Sequence, residues 1–141
     1  MDNDGGVLCY HAFPTIVSNY IARNHFETIS TYQQAAIWFT GTGGCGGPDR
    51  GFARIIRNTV VDNEGTGIWC SGPCIIEGNV ILRNSSQTDA GGIRCSGRRY
   101  GSPWESIWVT GNIVAENVGN PGGIASSGSV LLNNTVVNNR S

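Results

Sequence analysis

The sequence contains five copies of a nine-residue motif, and this repeat limits the possible folds more than any other feature. Each copy reads apolar-x-x-Asn-x-apolar-x-x-Asn. The copies occupy residues 16–24, 55–63, 76–84, 109–117 and 131–139. A motif that recurs every 20–50 residues or so is typical of a solenoid, in which each repeat forms one coil and neighbouring coils share a continuous core.

The spacing of the second Asn of the motif gives the length of each coil. These residues are separated by 39, 21, 33 and 22 positions; they are Asn24, Asn63, Asn84, Asn117 and Asn139. The short spacing predicts the bare coil, and the two long spacings predict loop insertions at about residues 26–35 and 41–51, and at 98–105. Such insertions usually lie on one face and often carry the binding function. Residues 1–141 are therefore predicted to form one domain.

A second element, clearest as Gly67-Ile68-Trp69-Cys70-Ser71-Gly72, precedes each motif and indicates a third strand per coil. Because successive strand residues point to opposite faces, alternate apolar residues should face the core. Three inward columns result: Val7, Ile37, Ile68, Ile93 and Ile124; Ile16, Ile55, Ile76, Val109 and Leu131; Ile21, Val60, Ile81, Val114 and Val136. The prediction is an all-β, single-stranded parallel β-helix of about five coils with three short parallel sheets and no capping helix.

The recurring Asn residues have a structural explanation. Asn tolerates the left-handed backbone conformation, so we expect it to form the bend at each coil corner. Stacked Asn amides should also hydrogen-bond along the solenoid axis. The position before the second Asn alternates in charge as Arg23, Asp62, Arg83 and Glu116, which favours cross-strand pairing and supports this register.

Composition excludes several classes of protein. The net charge is −1, Lys is absent and no long basic run occurs, so nucleic-acid binding is not expected. No apolar stretch approaches the roughly 18 residues of a membrane span, and the acidic start predicts no signal peptide. The five cysteines are an odd number, and Cys70 and Cys95 fall at matching inward positions. We therefore expect them to pack in the core as free thiols.

The repeat resembles the right-handed parallel β-helix repeat of the pectate-lyase-like superfamily, and the resemblance covers residues 3–139. It implies a right-handed coil. That superfamily includes lyases, hydrolases and epimerases of acidic polysaccharides, but also tailspikes, adhesins and proteins without known catalysis, so the fold alone grants no activity. The lyase, hydrolase and epimerase motifs are missing; for example, Val60 follows Asn58-Thr59 where the hydrolase motif has Asp. No catalytic residue, metal or cofactor is predicted.

One outward column of the first strand is a candidate ligand site. It reads Leu8, Trp38, Trp69, Arg94 and Ala125, and the second insertion adds Tyr100, Trp104 and nearby Trp108. Exposed aromatic rings bind sugars, and an Arg over a Trp forms a favourable cation–π pair. We predict ligand binding by Trp38, Trp69, Arg94, Tyr100 and Trp104. Two alternatives remain: the loops bury the rings, or the column forms a protein interface.

The outward face of the third strand is more apolar than a solvated sheet, which predicts self-association. The candidate interface residues are Val61, Val80, Leu82, Ile113 and Val137. An ice-binding face would need regular Thr pairs, and Thr59 and Thr135 are too few. The uncapped coil ends offer a second contact surface: we expect either a segment of a longer solenoid or ends covered by a partner copy.

Two classes of function follow. The favoured one is a non-catalytic module that binds a glycan or a protein partner and self-associates. The alternative is a carbohydrate-active enzyme, or a fragment of one, acting as a polysaccharide lyase or hydrolase. The first is favoured because five coils offer a short groove and no paired carboxylates are evident along the coils.

Overall fold

We describe the protein from a computed structural model, which describes residues 6–26, 34–41, 51–97 and 107–141. Every regular element in these ranges is a β-strand. The interiors of the predicted insertions, together with Tyr100 and Trp104, lie outside the described residues.

Each of the five coils contributes three strands. The first two coils contain β1 (Val7–Tyr10), β2 (Thr15–Val17), β3 (Tyr20–Ala22), β4 (Ala35–Thr40), β5 (Ala53–Ile56) and β6 (Thr59–Val61). The next two contain β7 (Thr66–Ser71), β8 (Cys74–Glu77), β9 (Val80–Leu82), β10 (Ile93–Ser96), β11 (Ile107–Thr110) and β12 (Ile113–Ala115). The last contains β13 (Ile124–Ser127), β14 (Ser129–Leu132) and β15 (Thr135–Val137).

Equivalent strands of successive coils pair in parallel and form three sheets of five strands. The first sheet is β1-β4-β7-β10-β13, the second is β2-β5-β8-β11-β14, and the third is β3-β6-β9-β12-β15. This is the three-sided parallel β-helix that the repeat predicts. No helix among the described residues has the length and hydropathy needed to cross a membrane.

The register agrees with the three predicted inward columns at every coil. In the first sheet Ile68 pairs with Ile37 on one side and Ile93 on the other. All three side chains are fully buried. The second and third columns stack in the same way, through Ile55–Ile76 and Val60–Ile81. Branched aliphatic side chains thus fill one continuous core, and their burial is the main stabilising contribution to the fold.

Gly67 and Gly92, which precede inward Ile residues of the first sheet, are required by close approach between coils. A Cβ on Gly67 would lie 2.6 Å from Ile81 Cγ2 and 2.7 Å from the Gly92 carbonyl oxygen. A Cβ on Gly92 would lie 2.5 Å from both Gly123 O and Val114 Cγ1. Neither of these two positions has room for a side chain, whereas the equivalent position of the second coil holds the buried Ala36.

Two Asn ladders run along the corners on either side of the third sheet, as predicted. Each ladder Asn of the first four coils donates its side-chain Nδ2 to Oδ1 of the equivalent Asn in the next coil, at 2.7–3.0 Å. Its backbone N–H donates to the same oxygen. From the second coil onward, Nδ2 also donates to the carbonyl of an inward residue in the preceding coil, as Asn79 does to Ile55. Both kinds of Asn amide atom are therefore satisfied in the interior.

The expectation that the ladder Asn residues adopt the left-handed conformation is wrong. The residue immediately before each of them has the positive φ, at all ten ladder positions. These residues are Ser18, Arg57, Gly78, Gly111 and Asn133 in one ladder, and Arg23, Asp62, Arg83, Glu116 and Asn138 in the other. The bend there turns the following Asn side chain inward, where it bonds along the stack.

The alternating charges that precede the second ladder pair across coils. Arg83 Nε lies 2.7 Å from Asp62 Oδ1 and its Nη2 lies 3.1 Å from Asp62 Oδ2. Its Nη1 lies 4.0 Å from Glu116 Oε2. The hydrogen bond to Asp62 raises the pKa of the Arg83 guanidinium. These charged side chains are exposed, so their ion pairs add little to the stability of the fold. Their pairing across coils agrees with the predicted register.

Candidate functional site

An aromatic stack lies along the outward face of the first sheet. Trp38 and Trp69 are register partners in β4 and β7, and their ring centroids are 5.2 Å apart with 19° between the planes. Tyr10 stacks on Trp38 with centroids 6.2 Å apart. The Trp38–Trp69 contact follows directly from the parallel register, whereas Tyr10 pairs with Thr40 and reaches Trp38 diagonally.

The two Trp residues differ in accessibility. Trp38 has aromatic neighbours on both sides, and only 8% of it is exposed. Trp69 is half-buried. Burial of the rings, one of the two alternatives to ligand contact, therefore applies to Trp38 and not fully to Trp69.

Arg94 follows Trp69 in the column, since β10 pairs with β7 through these two residues. Arg94 Nε lies 3.6 Å from Asp89 Oδ1. That distance is too long for a hydrogen bond, and the Arg94 side chain remains 40% exposed.

Trp38, Trp69, Arg94 and Asp89 line one open groove with a volume of about 240 Å³. The remaining lining residues are uncharged and polar: Gln34, Thr66, Thr88 and Ser96. The groove thus combines an aromatic wall, a single cation, a single anion and several hydroxyl groups. This combination suits a small ligand that has both an apolar face and hydroxyl groups.

Asp89 is fixed by its own loop. Its backbone N–H donates to Ser86 Oγ at 3.0 Å, and its backbone carbonyl accepts from Asn120 N–H at 3.0 Å. Its Oδ1 accepts from Ala90 N–H at 2.8 Å. The carboxylate is consequently held in position with its second oxygen available to a ligand.

Sequence reasoning missed Asp89 and Ser96 as lining residues. Ser96 follows Arg94 by two positions, so strand alternation alone places it on the same face. Asp89 lies in the loop between the third and first strands of neighbouring coils, and no periodicity locates such a side chain. Trp108, expected near the same coils, lies on the second sheet between Ile75 and Val130.

Trp38 also contains an unpartnered buried donor. Among the described residues, neither Trp38 Nε1 nor Thr40 Oγ1 has a hydrogen-bond partner. A buried donor without an acceptor costs roughly 1–3 kcal/mol. The buried Nε1 donor therefore reduces the stability that the aromatic stack contributes to the fold.

The predicted third-sheet interface is not uniformly exposed. Ile113 and Val137 are 44% and 43% exposed, and Val80 and Leu82 are half-buried. Val61, predicted as an interface residue, is only 4% exposed and makes no surface of its own. The second sheet is also apolar outside: Trp108 is 40% exposed beside half-buried Ile75 and Val130.

Three thiols meet in the core near the corner between the first and second sheets. Cys70, Cys74 and Cys95 are fully buried and free. Burial raises the pKa of Cys70 well above its usual value and that of Cys95 to about 12. Cys9 is free and partly exposed, and Cys45 lies outside the described residues. In the described part of the chain no three His, Cys, Asp or Glu side chains are placed to hold a metal ion.

Comparison of the chain with protein families, with characterised proteins and with solved structures found no match.

Proposed function

We propose that this protein is a non-catalytic β-helix module that binds a glycan in the groove beside Trp69. The observation that supports this most is the groove itself, in which a half-buried indole lies next to the polar side chains of Arg94, Asp89 and Ser96. Sugars present apolar C–H faces to aromatic rings and hydroxyl groups to polar side chains. The groove offers a partner for each.

The arrangement of carboxylates supports binding over catalysis. Glycosidases place two carboxylates about 5–10 Å apart across the scissile bond. Asp89 is the single carboxylate that lines the groove among the described residues. The hydrolase form of the enzyme alternative requires a partner carboxylate from an insertion, and Asp49 and Glu105 lie outside the described residues.

Glycan-array screening followed by titration calorimetry tests the proposal. Trp69→Ala should abolish binding of an array hit. The matched control is Trp108→Ala, which removes an exposed Trp from the second sheet and should leave the affinity unchanged. Release of reducing ends or unsaturated products that disappears in Asp89→Ala would establish the enzyme alternative instead.

We also propose that the protein self-associates through the third sheet, at Val80, Leu82, Ile113 and Val137. Ile113→Glu should then yield monomers in size-exclusion chromatography with light scattering. Trp108→Glu places the same charge at an equally exposed position of the second sheet and should leave the oligomer intact. Dissociation by Trp108→Glu alone would assign the contact to the second sheet. A wild-type monomer at high concentration would rule out self-association altogether.

Membership of the pectate-lyase-like superfamily belongs to this proposal as well. It is supported by the three parallel sheets and by the Asn ladders at the corners. An experimental structure in which the coils wind with a left hand would contradict it.

A further inference from the structure

We infer that the groove selects an uncharged sugar over a uronate, an inference that rests on the proposed glycan-binding function. Arg94 and Asp89 are the only charged residues that line it in the described part of the chain. Arg94 Nε and Asp89 Oδ1 lie 3.6 Å apart, so the described lining of the groove presents both signs of charge at one point. Selectivity then depends on how a ligand meets the pair.

Both members of the pair have unused hydrogen-bonding capacity. The Arg94 guanidinium has no hydrogen-bond acceptor among the described residues, because its contact with Asp89 is too long. Asp89 uses one oxygen for Ala90 N–H, and its other oxygen accepts no hydrogen bond from the described residues. Their side chains are 40% and 32% exposed, so a ligand can reach both.

A pair of hydroxyl groups that includes the C6 hydroxyl of a neutral hexose satisfies this arrangement. One hydroxyl donates to the free Asp89 oxygen, and the other accepts from the Arg94 guanidinium. A carboxylate also accepts from Arg94, but it has no proton to offer Asp89 and carries the same charge. The Asp89 backbone is held by Ser86 and Asn120, and its Oδ1 accepts from Ala90 N–H, so the carboxylate cannot rotate away from that repulsion without losing the Ala90 hydrogen bond. The cost falls on the acidic ligand alone.

The test compares oligosaccharide pairs that differ at C6 only: glucose with glucuronate, galactose with galacturonate, and mannose with mannuronate. Titration calorimetry should give at least tenfold tighter binding of the neutral member of the pair that binds. Asp89→Asn keeps Oδ1 as the acceptor for Ala90 and removes the charge. Asp89→Asn should therefore weaken binding of the neutral sugar tenfold or more, and this loss should abolish the preference over the uronate.

The outcomes separate the two proposals. If a uronate binds wild-type protein more tightly than its neutral counterpart, the selectivity inference is wrong while the glycan site stands. If the preference survives unchanged in Asp89→Asn, Asp89 is not its source and the inference is again wrong. If no member of any pair binds, the glycan-binding proposal and the inference fall together.

Discussion

Asn79 and Asn112 form the central step of a ladder in which two donors share one acceptor. The side-chain Nδ2 and the backbone N–H of Asn79 each lie 2.9 Å from Asn112 Oδ1. Nδ2 also donates to the Ile55 carbonyl at 2.8 Å. Asn79 is fully buried, so no water replaces any of these bonds. The ladder works because an amide has a donor and an acceptor at fixed positions, which neither Asp nor Leu provides.

Asn79→Asp should therefore destabilise the fold more than its nearly identical size suggests. The new oxygen would face Asn112 Oδ1 and the Ile55 carbonyl, and a buried, unpaired carboxylate is strongly unfavourable. We expect a loss of about 3 kcal/mol or more, measured by urea unfolding at pH 7. Asn138→Asp is the matched control, since Asn138 is exposed and precedes a ladder residue. Equal losses in both variants would contradict the ladder's role.

The left-handed residues before each ladder Asn give a second prediction, with opposite signs at two corners of one ladder. Gly111 has φ +63° and a Cβ there would contact nothing within 4 Å, so Gly111→Ala adds backbone strain without a clash. We expect a loss of about 1 kcal/mol. Ser18, with φ 57°, already bears that strain. Ser18→Gly should be neutral or stabilising by a few tenths of a kcal/mol, because the greater freedom of Gly in the unfolded chain offsets part of the gain.

Denaturant midpoints of the two variants, measured side by side, decide this point. A stabilised Gly111→Ala together with a destabilised Ser18→Gly would show that the ladder residues' neighbours are not left-handed in solution.

Two substitutions of the buried Trp38 distinguish the contribution of ring packing from that of the Nε1 donor. Trp38→Phe keeps an aromatic ring between Tyr10 and Trp69 and removes the unpartnered Nε1 donor. Its cost should be small, within about 1.5 kcal/mol, because the donor's removal offsets lost packing. Trp38→Ala should cost about 3–5 kcal/mol. Thermal unfolding of both variants checks the comparison, and similar losses would indicate that the Nε1 donor has a partner in solution.

The fold was predictable because each coil contacts only its neighbours, so the order of repeats along the sequence is also the order of coils in the stack. Ile68, Ile93 and Ile124 recur at one coil position, and parallel pairing converts that recurrence into a stack without any further long-range information. The same logic placed Trp38, Trp69 and Arg94 in one column.

The predictions that failed concern side-chain positions and backbone conformations that the repeat does not determine. Arg94 lies beside Asp89, whose loop occurs once in the chain, so no repeat could place that carboxylate in the groove. The left-handed residue was misplaced by one position because Asn has both a conformational and a hydrogen-bonding preference, and at these corners the hydrogen bonds prevail. Val61 occupies an outward position yet is buried, which strand alternation alone does not predict.

The buried Cys95 thiol should make the free energy of unfolding decrease as the pH rises above about 9. Burial raises its pKa from the usual 9.0 to about 12, so the folded state holds a proton that the unfolded chain releases above about pH 9. The stability due to this proton is complete below pH 9 and is lost as the pH rises toward 12. One thiol contributes a slope of about 1.4 kcal/mol per pH unit in that window. The buried Cys70 thiol, also raised in pKa, adds to the same slope.

Urea unfolding of reduced protein between pH 8 and 11 measures this dependence. Cys95→Ala should be less stable than wild type at pH 8 but lose stability less steeply above pH 9. Cys9→Ala is the control: burial raises the pKa of Cys9 as well, but Cys9 is partly exposed, so the slope should change less than in Cys95→Ala. Parallel loss of stability in wild type and Cys95→Ala would show that the Cys95 thiol does not stay protonated in the folded core, and that this part of the stack admits water.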